Sequence, residues 1–158
     1  MTLSDTDLTH LRRCIELARE ALDDGDEPFG SVLVSATGET LFEDRNHVAH
    51  GDATRHPEFE ISRWAAMNLD AQERAAATVY TSGEHCPMCS ASHGWVGLGR
   101  IVYVASSRQL SGWLREWGVG PSPVAPLAIT DVVPAAIVDG PAPELEAEIR
   151  ELHRRRFA

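Results

Sequence analysis

The sequence predicts an α/β fold whose sheet is parallel in part. Thr78–Ser82 is β-branched and aromatic, Pro87–Leu98 has helical character, and Arg100–Ala105 is a strand whose near-continuous apolar run suits burial on both faces. Strand, helix and strand in that order imply a right-handed crossover and two parallel strands. Upstream, Ser31–Ser35 and Thr40–Val48 flank Ala36-Thr37-Gly38-Glu39, a hairpin turn, which adds an antiparallel pair.

The remaining elements follow in order. Ser4 is placed to cap a first helix with Leu8, Leu11, Ile15, Ala18 and Leu22 on one face, closing at Asp23-Asp24-Gly25-Asp26. Cys14 on that helix reads as a small buried apolar residue. After the hairpin, residues 49–55 form a loop that leads to His56. There a second helix opens, running through Phe59, Ile61, Trp64, Ala65 and Met67. Beyond residue 105, Ser107 is expected to cap a helix ending at Trp117. Gly118–Pro126, with three prolines, reads as a loop able to fold over a pocket. Ile129–Val138 is expected to hold a short strand, and Pro143–Arg155 a terminal amphipathic helix. Trp64 is expected in the core. Trp113 and Trp117, four residues apart, share a helix face suited to core or subunit contact.

A length of 158 residues suggests one domain over 1–158, and 43% hydrophobic with 24% charged residues fits an ordinary globule. No apolar run reaches membrane-spanning length, and the N-terminus is polar without a signal-peptide pattern. Three cysteines suit a reducing cytoplasm and no disulfide framework. The net charge of −10 counts against nucleic acid as a partner, because phosphate backbones are held by clustered Lys and Arg. The one basic cluster, His153-Arg154-Arg155-Arg156, falls where a helix C-terminus favours positive charge. A small uncharged ring is the easier ligand.

Two short motifs carry the chemistry: His56-Pro57-Glu58, and Cys86-Pro87-Met88-Cys89. Each sits where a helix is expected to start, with Pro in the first turn, where its missing N–H costs little. Cys86 and Cys89 are three apart, so both sulfurs face one way. One imidazole and two thiolates suit Zn2+ in tetrahedral geometry, and three ligands leave a fourth position for water. A C-x-x-C pair alone is a weak signal, shared with redox motifs, but a thioredoxin-like site has no need of a distant H-x-E. His85 or His93 could close a four-ligand structural site instead. Glu58, two residues after a candidate ligand, is the natural proton carrier. Its alternative reading is a carboxylate satisfied by a helix N-terminus.

The combination resembles the zinc-dependent cytidine and nucleobase deaminase superfamily, whose signature is H-x-E followed by P-C-x-x-C. That resemblance implies a cytidine deaminase-like three-layer α/β/α sandwich around a mixed sheet of about five strands. It implies His56, Cys86 and Cys89 as zinc ligands and Glu58 as the proton shuttle. Pro28-Phe29-Gly30-Ser31-Val32-Leu33-Val34 is similar to a stretch of the guanine deaminase and tRNA adenosine deaminase branch. By the same likeness Asn46 holds the base, Phe29 and Trp95 pack its faces, and Glu116 is the candidate for an acidic substrate contact. The implied reaction is hydrolytic deamination of a free nucleobase or related aminated heterocycle, guanine-like or triazine-like, releasing ammonia. The alternatives are a nucleoside or cytosine-type deaminase and a tRNA adenosine deaminase. Relatives of this kind are commonly homodimers with a pocket partly closed by the neighbour. The chain departs from the family pattern at Pro57, where Ala or Gly offers an N–H, at Gly83, where Cys is usual, and at His85, where Pro is usual.

Overall fold

The computed structural model describes residues 2–158. Its strands are β1 (Gly30–Val34), β2 (Thr40–Arg45), β3 (Thr78–Gly83), β4 (Ile101–Ala105) and β5 (Val138–Asp139). They form one five-stranded sheet in the order β2-β1-β3-β4-β5. β1 pairs antiparallel with β2 and β3, whereas β3, β4 and β5 run parallel. This is the mixed sheet the sequence predicts.

Helices cover both faces: α1 (Asp5–Asp23), α2 (Pro57–Asn68), α3 (Ala71–Ala76), α4 (Pro87–Val96), α5 (Ser107–Glu116), α6 (Ile129–Val132) and α7 (Glu146–Phe157). The period-2 alternation of the strands divides the core between them. Val32, Tyr80, Val102 and Val104 pack against Leu11 and Ile15 of α1, Trp113 of α5, and Ile149 and Leu152 of α7. Leu33, Val79, Ile101 and Tyr103 pack against Ile61 and Ala65 of α2 and Ile129 of α6. Each fully buried Leu or Ile contributes about 1.5–3 kcal/mol, so the two layers hold the sheet rigidly between them. Gly30 lets α1 lie close on β1, since a Cβ there would fall 2.4 Å from the Cys14 carbonyl oxygen.

A buried ionic cluster ties α1 to the parallel edge. Arg100 donates to Asp7 at 2.8 Å and to Asp139 at 2.6 Å, and the Tyr80 hydroxyl donates to Asp7 at 2.9 Å. The Arg100 guanidinium holds the Asp7 carboxyl well below the usual carboxylate range.

Several expectations are corrected. Ser106, not Ser107, is the N-cap of α5; it accepts from the Gln109 N–H while Gln109 reaches back to the Ser106 N–H. Residues 129–138, expected to hold a short strand, hold one only at their far end. Ile129–Val132 is a helical turn, with Asp131 accepting from the Ala128 N–H, and only Val138–Asp139 pairs with β4. β2 stops at Arg45, short of Val48: the Asn46 N–H still reaches the Phe29 carbonyl opposite it, but the His47 N–H turns away to the Arg55 carbonyl. Trp64, expected in the core, packs at its margin: it is half-buried against the second layer and stacked on Phe42 at 5.4 Å.

Candidate active site

The motif helices α2 and α4 begin in the same way. His56 and Cys86 are their N-cap residues, both extended, and Pro57 and Pro87 follow at the first helical position. A residue before proline is steered away from helical backbone, so each X-Pro step fixes where its helix starts. Glu58 and Cys89 then lie within the first turns, and the neighbouring helices α2 and α4 bring both ends to one point.

Donor atoms of His56, Cys86 and Cys89 all lie within 4.8 Å of one another, and no other group of His, Cys, Asp and Glu among the described residues does so. His56 Nδ1 is 3.5 Å from Cys86 Sγ and 3.6 Å from Cys89 Sγ. A tetrahedral zinc with bonds of about 2.3 Å to sulfur and about 2.1 Å to nitrogen sets that separation at about 3.6 Å. The donor set therefore fits zinc in type and in spacing. His85 and His93 stand apart from it: they pack edge to face at 5.4 Å, and His93 Nε2 is 2.8 Å from the Gly99 carbonyl oxygen. The four-ligand structural site is not assembled.

The electrostatics of the metal-free cluster agree with its donor chemistry. Hydrogen bonding from Cys89, and then from His56, lowers Cys86 to about 4. Cys89, sharing a proton with that thiolate, is pushed well above the usual thiol value. The Cys86 thiolate in turn raises His56 to about 9. Glu58 is 5% exposed, and burial raises its carboxyl. Its Oε1 lies 2.9 Å from the Thr81 hydroxyl and 3.1 Å from the Ser31 hydroxyl.

His56, Glu58 and Cys86 open into a cavity of about 190 Å³. Phe29 and Leu110 are among its apolar walls, and Val124 and Pro126 of the loop after α5 close one side. Gly83 makes room for the Phe29 ring, since a Cβ there would lie 3.2 Å from it. Asn46 is 1% exposed and not among the lining residues; its Oδ1 accepts from the Glu27 and Val48 N–H groups, which leaves Nδ2 buried without a partner.

Two expected substrate contacts are not in this cavity. Trp95 is 90% exposed on α4. Six residues at about 100° each carry it roughly 240° around the helix from Cys89, away from the site. Glu116 is two residues past Leu114, whose face of α5 lines the cavity, and so points elsewhere, pairing with Arg150 at 3.0 Å. Sequence reasoning missed Glu84, Ser107 and Ser111, all in the cavity wall. The i, i+3, i+4, i+7 series Ser107, Leu110, Ser111 and Leu114 was the available signal for one face of α5.

A three-layer α/β fold with one imidazole and two thiolates positioned for zinc beside a buried carboxylate defines a zinc hydrolase. Residues 4–105 match the family described as the cytidine and deoxycytidylate deaminase zinc-binding region, and the chain belongs to that family of zinc-dependent deaminases. A probable cytosine deaminase of Schizosaccharomyces pombe is 34% identical over 119 residues, covering 75% of this chain and 72% of that one. A guanine deaminase of Bacillus subtilis is 35% identical over 99 residues, 61% of this chain and 63% of its own length, so the match spans less than two thirds of that relative. Among solved structures, guanine deaminase from Nitrosomonas europaea superposes on 99% of this chain and 86% of its own, with TM-score 0.68 at 19% identity, a likeness of fold.

Proposed function

We propose that the protein hydrolytically deaminates a free nucleobase or a related aminated heterocycle, guanine-like or cytosine-like in ring chemistry, and releases ammonia. The observation that carries this reading is Glu58, a buried carboxylate that shares one small cavity with His56 and Cys86. His56, Cys86 and Cys89 would hold the zinc. When bound, zinc acts as a Lewis acid that lowers the pKa of water to about 7.

The rest is work for the chain's own groups. Phe29 packs a face of the ring and, with Val124 and Pro126, keeps bulk water away. Asn46 stands outside the cavity wall, with its acceptor committed to backbone N–H groups and Nδ2 without a partner, so a side-chain movement toward the cavity would offer that donor to an acceptor on the ring. Glu58 takes a proton from the attacking water and delivers it to a ring nitrogen; it then takes the proton of the hydroxyl so added and hands it to the amine, which leaves as ammonia while the carbonyl forms. Burial, which raises its carboxyl, helps it carry that proton. Pro57 offers no backbone N–H at the same helix end, which favours rings that need no donor there.

A cavity of about 190 Å³ favours a free base over a nucleoside, and the guanine and cytosine deaminases among the relatives point the same way. The net charge of −10 speaks against a tRNA substrate. We take residues 1–158 as one deaminase domain, working in the cytoplasm as a homodimer. Trp95 at 90% exposure and Met67 at 87%, on the neighbouring helices α2 and α4, support a subunit contact on that face. No helix among the described residues is long and apolar enough to cross a membrane. Ammonia release by the zinc-loaded protein, assayed over a panel of bases and matching nucleosides, tests the substrate assignment. Free bases are expected to be turned over in preference. Preference for nucleosides, or no release from any ring, would contradict it.

A further inference from the structure

Among the described residues only two carboxylates line the cavity, Glu58 and Glu84. Glu58 has its place in the chemistry; Glu84 has none so far. Its backbone N–H donates to the Ala105 carbonyl at 2.8 Å, which fixes the residue where β3 runs out beside β4. One carboxylate oxygen, Oε2, accepts from the Ser107 N–H at 3.3 Å, at the start of α5. That is the one hydrogen bond its side chain makes among the described residues. Glu84 also lines the open trough outside the cavity, so it stands at the seam between buried site and solvent.

We infer that Glu84 is the specificity residue of the pocket, accepting a hydrogen bond from an N–H on the edge of the ring remote from Glu58. The inference rests on the reading of this cavity as the substrate site. A carboxylate is an acceptor at both oxygens, and Oε2 is committed to α5, which leaves Oε1 for a ligand. The other polar wall residues, Ser107, Ser111 and Ser122, are hydroxyls that adapt to either partner and select little. Glu84 alone in that part of the wall selects by sign. It attracts ring N–H and amino groups and repels carbonyl oxygens, ring acceptors and anionic substituents, which a hydroxyl does not. The acidic contact expected at Glu116 thus falls to Glu84, reached from β3 and not from the chain beyond β4.

Matched ring pairs separate this role from a structural one. The probes are guanine against 1-methylguanine and 9-methylguanine, and cytosine against 1-methylcytosine, with the zinc-loaded protein. Both ammonia release and calorimetric binding are measured. In the wild type, one of the methyl groups is expected to cost about tenfold or more, the loss of a hydrogen bond to a charged acceptor. In Glu84→Ala that ratio collapses to about one, because the parent ring weakens and the methylated ring does not. Glu84→Gln keeps an oxygen for the Ser107 N–H but turns an NH2 toward the ring; it should keep its melting temperature and lose the discrimination. Parent and methylated rings weakened equally in both variants, or a ratio unchanged from wild type, would overturn the assignment. So would failure of every donor-bearing ring to bind. Rings that bind in a Glu84-dependent way without releasing ammonia would instead sink the deaminase reading and leave this one standing.

Discussion

The Thr81 hydroxyl lies 2.9 Å from Oε1 of Glu58, and the Ser31 hydroxyl lies 2.8 Å from Thr81 Oγ1. The carboxylate is therefore pinned to the sheet from the ends of β1 and β3, while the helix that bears it starts at His56. A proton carrier needs this fixed placement, because transfer falls steeply with distance and angle.

Thr81→Val removes the hydroxyl at nearly constant shape. Losing a hydrogen bond to a charged group should lower kcat by roughly ten- to a hundredfold. KM and zinc content should stay within about twofold, since neither the wall nor the donor set changes. Steady-state kinetics beside metal analysis checks this, and an unchanged kcat would remove Thr81 from the positioning role.

Zinc binding should release protons. In the metal-free protein His56 is held up to about 9 and Cys89 above its usual value, while Cys86, at about 4, is already a thiolate. Near neutral pH, loading must expel about two protons, one from His56 and one from Cys89. Apparent affinity should then fall about a hundredfold for each pH unit lost below neutrality. Competition with a chromophoric chelator between about pH 6 and 8 measures the slope. Independence of pH would mean that the cluster is not protonated as described.

His153 is one of three buried histidines, with His85 and His93, that burial keeps neutral and that together set the first step of acid destabilisation. It is 1% exposed between Phe29 and Phe157, at 5.0 and 6.1 Å, and burial lowers it from 6.5 to about 4. The unfolded chain therefore takes up this proton before the folded one does, and stability falls as pH drops from about 6.5 to about 4. Between about pH 7 and 5 the loss from this group is on the order of 2 kcal/mol. Asp7 acts lower. Its depressed carboxyl gives stability above about pH 4 that disappears as the pH falls toward its folded value. Urea melts across this range should fall less steeply in His153→Phe between about pH 7 and 5, with His85 and His93 still contributing, and keep the wild-type fall below about pH 4. A variant as pH-sensitive as wild type in the upper window would contradict the role given to His153.

The Asp7–Arg100–Asp139 cluster offers a test of the frame. Asp7→Asn leaves Arg100 with one carboxylate in place of two. Breaking a fully buried pair costs about 3–5 kcal/mol, and Arg100 is 29% exposed, so on the order of 2 kcal/mol is expected here. Denaturant midpoints at pH 7 would reveal it; a change near zero would reduce the cluster to surface decoration.

The fold and the metal donors could be read from the chain because they rest on local signals. Ile101–Ala105 is apolar at every position, and it is the strand buried by helices on both faces. His56-Pro57 and Cys86-Pro87 each carry their own helix start, which is a matter of proline stereochemistry. Asp70-x-x-Glu73 carried the same kind of information for α3, as a reciprocal cap, and went unused. The short strand expected within residues 129–138 was placed less exactly, because Val132, Val133, Ile137 and Val138 all favour strand, whereas only Val138 and Asp139 pair with β4. The cavity wall was the least legible part. Trp95 and Glu116 were sought by likeness in linear order, whereas α4 and α5 present other faces to the site, and Glu84 enters it through the end of β3.

The most direct test is to measure zinc and ammonia on the same preparation of Glu58→Gln. The variant should hold zinc at the wild-type ratio and release ammonia from the best free base about 100- to 10,000-fold more slowly. Wild-type turnover by zinc-loaded Glu58→Gln would contradict the proton-carrying role given to that carboxylate.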